Sequence, residues 1–146
     1  MATFIADLFG GCGSLLKGDA EPVDTIEALK GKEVIALYFS ASWCGPCKRF
    51  TPMLKDVYNS LKSAGKSFEI VFVSSDSDEE SFLQYYRSMP WLAVPFDEDV
   101  REGELPYRFG CSGIPYLVLL DGRTGKEISR DGTVHILPAH CTVCYS

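Results

Sequence analysis

The sequence predicts an α/β fold in which helices flank a central mixed β-sheet. Residues 34–39 and 68–73 form two apolar, partly β-branched runs, as expected for strands that are buried on both faces. Each run precedes a segment in which apolar residues recur at helical spacing. A third run at 116–120 is followed by the turn sequence 121–125 and a short strand at 126–129, which predicts a closing hairpin. This order of elements favours a mixed sheet with helices on its faces.

The N-terminal part predicts little regular structure before the first of these strands. Residues 1–20 predict a helix or an arm followed by a glycine-rich loop. Asp24 can cap a short helix through Leu29, and Gly31 can end it. The predicted boundaries are an N-terminal arm at 1–20, the α/β domain at 21–137 and a C-terminal tail at 138–146.

Three further helices follow from apolar spacing. Residues 45–64 predict the longest helix, and Pro52 within it is expected to bend it because proline lacks an N–H group. Residues 78–87 predict the next helix, and 89–96 predict a proline-bounded loop. A last helix over part of 99–109 is expected to be shortened or bent by its own proline.

Composition and charge narrow the function classes. The chain has 146 residues, of which 46% are hydrophobic, and this fits one globular domain with a substantial core. Its formal net charge of −6 argues against binding to nucleic acid, which requires clustered lysine and arginine. No apolar run approaches the about 18 residues of a membrane span, and the N-terminal residues lack the basic region of a signal peptide. We therefore expect no nucleic-acid or membrane partner and a cytoplasmic location, with the nucleus as a second candidate.

The segment Trp43-Cys44-Gly45-Pro46-Cys47 carries the most specific chemistry. It lies directly between the first predicted strand and the longest predicted helix. This places the first sulfur at a helix N-terminus, where backbone N–H groups and the helix dipole favour an anion. The thiolate is the nucleophile of disulfide exchange, and a second thiol one turn further can release a bound partner. A structural disulfide or half of a zinc site is the alternative interpretation.

Together with distant segments, this motif resembles the thioredoxin superfamily, and more narrowly its tryparedoxin and nucleoredoxin branch. The superfamily signature is the Cys-x-x-Cys segment combined with Ile114-Pro115 just before a strand. The branch signature is YFSASW at 38–43, FTP at 50–52, VFVSSD at 71–76, EESF at 79–82 and MPWLAVPF at 89–96. The resemblance covers roughly residues 22–135 and implies the thioredoxin-like fold.

The resemblance implies dithiol–disulfide exchange, that is, a protein-disulfide reductase of tryparedoxin or nucleoredoxin type. It implies neither a cofactor nor a metal. Cys44 is implied to be the exposed nucleophile and Cys47 the resolving thiol. Trp43, Gly45 and Pro46 are implied to support the site from within the same motif.

Ile114 and Pro115 form the second implied part of the site. The resemblance implies that the bond before Pro115 is cis and that this proline faces the dithiol. It also implies that the Ile114 backbone pairs with an extended substrate segment. The implied substrates are disulfide-containing proteins, with peroxiredoxins as candidates. The implied electron donor is a dithiol or a flavoprotein reductase, and thioredoxin reductase, glutathione and a trypanothione-like dithiol are the alternatives.

The chain departs from the related families at three points. Many thioredoxins carry a buried aspartate six residues before the first cysteine, proposed as a proton acceptor, where this chain has Tyr38. Tryparedoxins typically have Trp-Asp where this chain has Ser75-Asp76. Both branch families usually have two prolines between the cysteines, whereas Gly45-Pro46 matches thioredoxin itself. A carboxylate base at position 38 is therefore excluded, and the electron donor is left open.

The remaining cysteines have several interpretations. Cys111 precedes the Ile-Pro segment, and it is either a small buried residue or a group close to the site. His140, Cys141 and Cys144 belong to a flexible tail with incidental thiols, an auxiliary redox pair, or a zinc site that Cys12 would complete.

A second function class also remains open from the sequence. The chain can act as a redox-sensitive binding module that holds signalling partners and releases them on oxidation. Such a module would use the same groove beside the cysteine pair, but turnover would not be its main output.

Overall fold

A computed structural model of the chain describes residues 3–130. The helices in this range are α1 (Thr3–Leu8), α2 (Thr25–Leu29), α3 (Gly45–Ser63), α4 (Glu79–Tyr86) and α5 (Glu104–Arg108), with a 3-10 turn at Asp99–Arg101. The strands are β1 (Ser14–Lys17), β2 (Glu21–Asp24), β3 (Val34–Ser40), β4 (Phe68–Ser74), β5 (Leu92–Ala93), β6 (Tyr116–Asp121) and β7 (Glu127–Ser129). None of the helices between residues 3 and 130 combines the length and the apolar character needed to cross a bilayer.

Within this range the seven strands form one mixed sheet in the order β2-β1-β5-β4-β3-β6-β7. Parallel pairing joins β3 to β4 and β4 to β5, and the other neighbours are antiparallel. The central strand is β3, in which Leu37 pairs with Val71 on one side and with Val118 on the other. The predicted mixed sheet flanked by helices is confirmed.

Two hydrophobic cores, one on each face of the sheet, explain why β3 and β4 are apolar along most of their length. Ile35, Leu37 and Phe39 belong to the core that also receives side chains from α1, α2 and α5. Ala36 and Tyr38 belong to the other core, together with side chains from α3 and α4. Because successive side chains of a strand point to opposite faces, a strand covered on both faces offers no exposed position to a polar residue.

Helix α3 carries the cysteine motif at its start. It begins directly after Cys44 and continues past Pro52. Pro46 lies in its first turn, where the missing N–H would have had no partner within the helix. Phe50 and Leu54 face the core, so the predicted amphipathic helix is confirmed. The bend expected at Pro52 stays a prediction.

Strands β1, β2 and β5 occur where the sequence predicts no strand. β1 and β2 pair at the edge of the sheet, and β1 contacts β5 through Leu16 and Ala93. These strands escape prediction because they are short and because Pro22 lies in β2, a position tolerated only at an edge. Leu8 of α1 lies in a core. The N-terminal helix that was one alternative for residues 1–20 is confirmed as α1, and residues 3–17, placed in the predicted arm, belong to the sheet and its core.

The two short helices α2 and α5 agree with the sequence-based predictions. The N–H of Glu27 donates to the carboxylate of Asp24 at 2.9 Å, and Gly31 after α2 has a φ of 80°. The predicted cap and end of this helix are confirmed. The helix predicted over part of 99–109 is confirmed as α5, and a 3-10 turn precedes it. Pro106 lies in the first turn of α5. The N–H groups of a first turn have no acceptor within the helix, so the missing N–H of a proline costs no hydrogen bond there.

Candidate functional site

The two cysteines of the motif lie where the central strand leads into a helix. Cys44 is the N-cap of α3, Gly45 and Pro46 form the turn after it, and Cys47 follows. The two sulfurs are bonded to each other, and the two Cα atoms are 5.2 Å apart. The N–H of Cys47 donates a hydrogen bond to Sγ of Cys44 at 3.2 Å. A sulfur that accepts an N–H bond at a helix N-terminus is stabilised as an anion, so the geometry favours a thiolate at Cys44 after reduction.

The two cysteines differ in their access to solvent. Cys47 has no exposed surface, whereas Cys44 keeps 6% of its surface exposed. Both pack with Ala41 and Ile114 in a small apolar cluster. Sγ of Cys44 lies 3.8 Å from the carbonyl oxygen of Ile114, and the Ile114–Pro115 bond is cis, as the resemblance implies. An incoming reagent therefore meets Cys44 first.

An open cavity of about 360 Å³ lies beside the disulfide. Trp43 forms one wall of this cavity and is 65% exposed. Ile114 lines the cavity and also contacts the cysteine pair, so a peptide placed in the cavity would lie next to Cys44. The remaining lining residues are Ser74, Ser75, Arg101, Glu102, Pro106, Cys111, Ser112 and Gly113.

Tyr38 belongs to a chain of hydroxyl groups beneath the start of α3. Its hydroxyl lies 2.6 Å from Oγ1 of Thr51, which in turn donates to the carbonyl of Cys47 at 2.9 Å. The hydroxyl of Tyr85 lies 2.8 Å from Thr51 and 2.8 Å from Ser40. Burial raises the pKa of Tyr38 far above its ordinary value. The phenol therefore keeps its proton at neutral pH and cannot serve as the base that an aspartate would supply.

The other two cysteines between residues 3 and 130 are free thiols. Cys12 lies in a core and donates its S–H to a neighbouring carbonyl at 2.9 Å. Cys111 is half-buried and lines the cavity. Burial raises the pKa of both thiols, so both are protonated at neutral pH. The interpretations of His140, Cys141 and Cys144 concern residues outside the described range.

Two buried charged residues near the motif, Asp76 and Arg101, were given no functional role from the sequence. Asp76 follows β4, whose carboxyl end lies beside that of β3 in the parallel pair. A polar residue at that point is a sequence signal, because ligand and active sites form where strand ends of an open sheet meet. Arg101 comes from the 3-10 turn, and nothing in the sequence marks it. Among the described residues, no three His, Cys, Asp or Glu side chains are arranged to hold a metal ion.

A family model described as thioredoxin-like matches residues 31–127. Probable nucleoredoxin 1 of Arabidopsis thaliana is 52% identical over 118 residues, which are 81% of this chain and 20% of that protein. The tryparedoxin of Trypanosoma brucei brucei is 40% identical over 133 residues, which are 91% of this chain and 90% of that protein. The chain thus spans between 20% and 30% of the length of the nucleoredoxins it matches, and nearly the whole of a tryparedoxin.

Solved structures give the same result for the fold. Tryparedoxin II from Crithidia fasciculata has a TM-score of 0.85 and 33% identity, covering 98% of this chain and 91% of that chain. A structure of tryparedoxin II complexed with glutathionylspermidine has a TM-score of 0.83 and 33% identity, covering 96% and 94%. The family model, the relatives and the fold agree, and the chain belongs to the thioredoxin-like family, in the branch that contains the nucleoredoxins and the tryparedoxins.

Proposed function

We propose that this protein reduces disulfide bonds of other proteins through Cys44 and Cys47. Membership of the thioredoxin-like family implies thiol–disulfide oxidoreductase activity in general. One observation carries the narrower proposal: the bonded cysteine pair at the N-terminus of α3 lies beside an open cavity, and Cys44, whose sulfur is the proposed nucleophile, is the less deeply buried of the two. The cavity gives room for a polypeptide segment next to that sulfur.

The reaction begins with the reduced pair. The thiolate of Cys44 attacks one sulfur of the substrate disulfide, a bond forms between Cys44 and that sulfur, and the other substrate sulfur leaves as a thiolate that takes a proton from water. Cys47 then loses its proton to solvent, and its thiolate attacks Sγ of Cys44. The Cys44–Cys47 disulfide forms, the second substrate sulfur leaves, and two electrons have passed to the substrate.

The geometry supports this division of roles. Cys44 is stabilised as a thiolate by the N–H of Cys47 and by the start of α3, and it is the more exposed of the two. Cys47 is fully buried, so an external disulfide does not reach it, whereas a disulfide already joined to Cys44 does. Its proton does not pass to Tyr38, because the pKa of that phenol is raised by burial. We propose water reached through the cavity as the acceptor.

Disulfide-bearing proteins, peroxiredoxins among them, are the proposed substrates. The proposed electron donor is a dithiol or a flavoprotein reductase. A relative, tryparedoxin II, has been solved in complex with glutathionylspermidine, which supports a glutathione-type thiol as the first donor to test. Thioredoxin reductase and a trypanothione-like dithiol are the alternatives. The cytoplasmic location, with the nucleus as second candidate, stays a prediction.

Cys44→Ser and Cys47→Ser separate the two proposed roles. Wild-type protein charged with dithiothreitol should reduce insulin, and neither variant should turn over. Only Cys47→Ser should accumulate a mixed disulfide on a non-reducing gel, because it keeps the nucleophile and lacks the resolving thiol. Cys12→Ser is the matched control and should reduce insulin at the wild-type rate, since Cys12 is not among the lining residues of the cavity. Turnover by Cys44→Ser would contradict the proposal.

The redox-sensitive binding module is the second candidate. It is favoured by the large exposed surface of Trp43 beside the open cavity, which can hold a partner without any chemistry. Capture of a partner that survives Cys44→Ser and is lost on oxidation of the wild-type protein would support it. Rapid turnover with a physiological donor and no such capture would leave the reductase as the function.

A further inference from the structure

We propose that Asp76 is a positioning residue of the redox site. Its buried carboxylate holds Ser42 in place. Through Ser42 it positions Trp43, the exposed residue in the wall of the cavity, so that Trp43 can contact protein substrates. The proposal rests on the proposed disulfide-reductase function. Asp76 is 1% exposed and lies just beyond β4, at the edge of the sheet where the motif begins. A buried carboxylate is stable only when hydrogen bonds or opposite charges compensate for its lost hydration, so its partners show what it holds.

The partners of the carboxylate come from the loop after β3 and from the last residue of β4. Oδ1 of Asp76 accepts both the N–H of Ser42, at 3.0 Å, and the hydroxyl of Ser42. Oδ2 accepts the hydroxyl of Ser74 at 2.9 Å, and the N–H of Asp76 donates back to Oγ of Ser74 at 2.9 Å. Hydrogen bonds to an ionised carboxylate are roughly twice as strong as neutral ones. Asp76 therefore ties the loop after β3 to the loop after β4.

Arg101 fixes the same loop from the other side. Its Nη1 donates to the carbonyls of Ser74, at 2.7 Å, and of Asp76, at 3.1 Å, and its Nε donates to the carbonyl of Phe96 at 2.9 Å. The guanidinium lies 4.1 Å from the centre of the Phe96 ring and is almost completely buried. Arg101 also lines the cavity, as does Trp43. Asp76 thus connects the wall that carries Trp43 to the wall that carries Arg101.

The nucleophile has its own anchors. Cys44 caps α3, and its N–H donates to the carbonyl of Ala41 at 3.2 Å. Trp43, by contrast, is 65% exposed, so packing against the protein restrains it little and its position follows the backbone of Ser42. Loss of the Asp76 carboxylate should therefore displace Trp43 more than Cys44. Recognition of a protein substrate should weaken, while the intrinsic reactivity of the thiolate should persist.

Three variants test this with two substrates. Asp76→Ala should lower kcat/KM for insulin by about tenfold, mainly through KM, because small displacements of positioning groups are costly. Its rate with the small disulfide 5,5′-dithiobis(2-nitrobenzoate) should stay within about twofold of wild type, since that reagent needs only the thiolate. Asp76→Asn should keep most of the insulin activity, because the amide oxygen still accepts the N–H of Ser42. Asp78→Ala is the matched control. It removes a carboxylate from the same loop, but that carboxylate accepts the N–H of Ser81 in α4 and does not contact the cysteine motif.

The outcomes separate this inference from the proposed function. If wild-type protein reduces insulin and Asp76→Ala matches Asp78→Ala, the positioning role is refuted and the reductase stands. An equal loss with both substrates would also refute it, because the thiolate itself would then depend on Asp76. If wild-type protein reduces no insulin, the proposed function fails and the inference with it. Should Asp76→Ala not fold, Ser42→Ala removes one donor alone and should raise KM for insulin about threefold; a wild-type KM would then overturn the inference.

Discussion

The hydrogen bond between Tyr38 and Thr51 predicts an unequal loss of stability when either partner is removed. The two hydroxyl oxygens lie 2.6 Å apart in a fully buried position. In Tyr38→Phe, the Thr51 hydroxyl keeps its bonds to Cys47 and Tyr85, so the free energy of unfolding should fall by only about 1 kcal/mol. In Thr51→Val, the buried Tyr38 hydroxyl loses its shortest hydrogen bond and keeps the Cys47 carbonyl at 3.5 Å, the limit of a hydrogen bond, and an interaction with Ser40. That loss should be about 2 kcal/mol.

The free energy of unfolding of the double variant decides whether the two hydroxyl groups are coupled. With both hydroxyls replaced by apolar groups, no buried donor is left unpaired, so Tyr38→Phe with Thr51→Val should cost about 1 kcal/mol and not the sum of about 3 kcal/mol. Urea unfolding of the oxidised protein at neutral pH measures all three values, provided that the denaturant slopes stay equal. Additive losses, or a smaller loss for Thr51→Val than for Tyr38→Phe, would refute this assignment.

Tyr38→Phe also tests whether Tyr38 takes part in proton transfer. Burial raises the pKa of this phenol, so it stays protonated at neutral pH and accepts no proton from the resolving thiol. Tyr38→Phe should therefore reduce insulin at close to the wild-type rate. A loss on the order of 100-fold, which is the usual contribution of a general base, would show that Tyr38 takes part in proton transfer.

Three further predictions follow from single contacts. Burial raises the pKa of Cys111, so its thiol should be alkylated by iodoacetamide at neutral pH more slowly than free cysteine, as measured by peptide mass spectrometry; equal or faster labelling would contradict this. A Cβ at Gly122 would meet the Lys32 carbonyl, so Gly122→Ala should lower stability to urea by about 3 kcal/mol, while Gly13→Ala, which meets open space, should have little effect. Hydrogen bonds from the first turn of α4 lower the pKa of Asp78 below its ordinary value, so the stabilisation is fully present at neutral pH and is lost as the pH falls through the lowered folded pKa. Asp78→Asn should therefore lose less stability than wild type between about pH 5 and pH 3.

The parts of the fold that the sequence predicts are those in which local pattern and tertiary environment coincide. β3 and β4 are covered on both faces, so most of their positions are apolar, and the pattern alone identifies them. α3 has one buried side over many turns, and its period is visible in the sequence. β5 is two residues long and β2 lies at an edge, so neither produces a periodic pattern. The helix predicted over part of 99–109 is α5, whereas the 3-10 turn before it is too short to produce a period in the sequence.

The sequence by itself determined where the cysteine pair lies and predicted the chemistry proposed for it. Two cysteines placed between a buried strand and a helix already predict a dithiol at a helix N-terminus, since strand, motif and helix are continuous along the chain. The tertiary structure alone decided what surrounds them. Ile114 meets Cys44 across a separation of 70 residues, and Asp76 meets Ser42 across 34. The physical reason is that the order of strands in the sheet determines which residues become neighbours. Strand order depends on the packing of the whole chain and not on any local segment.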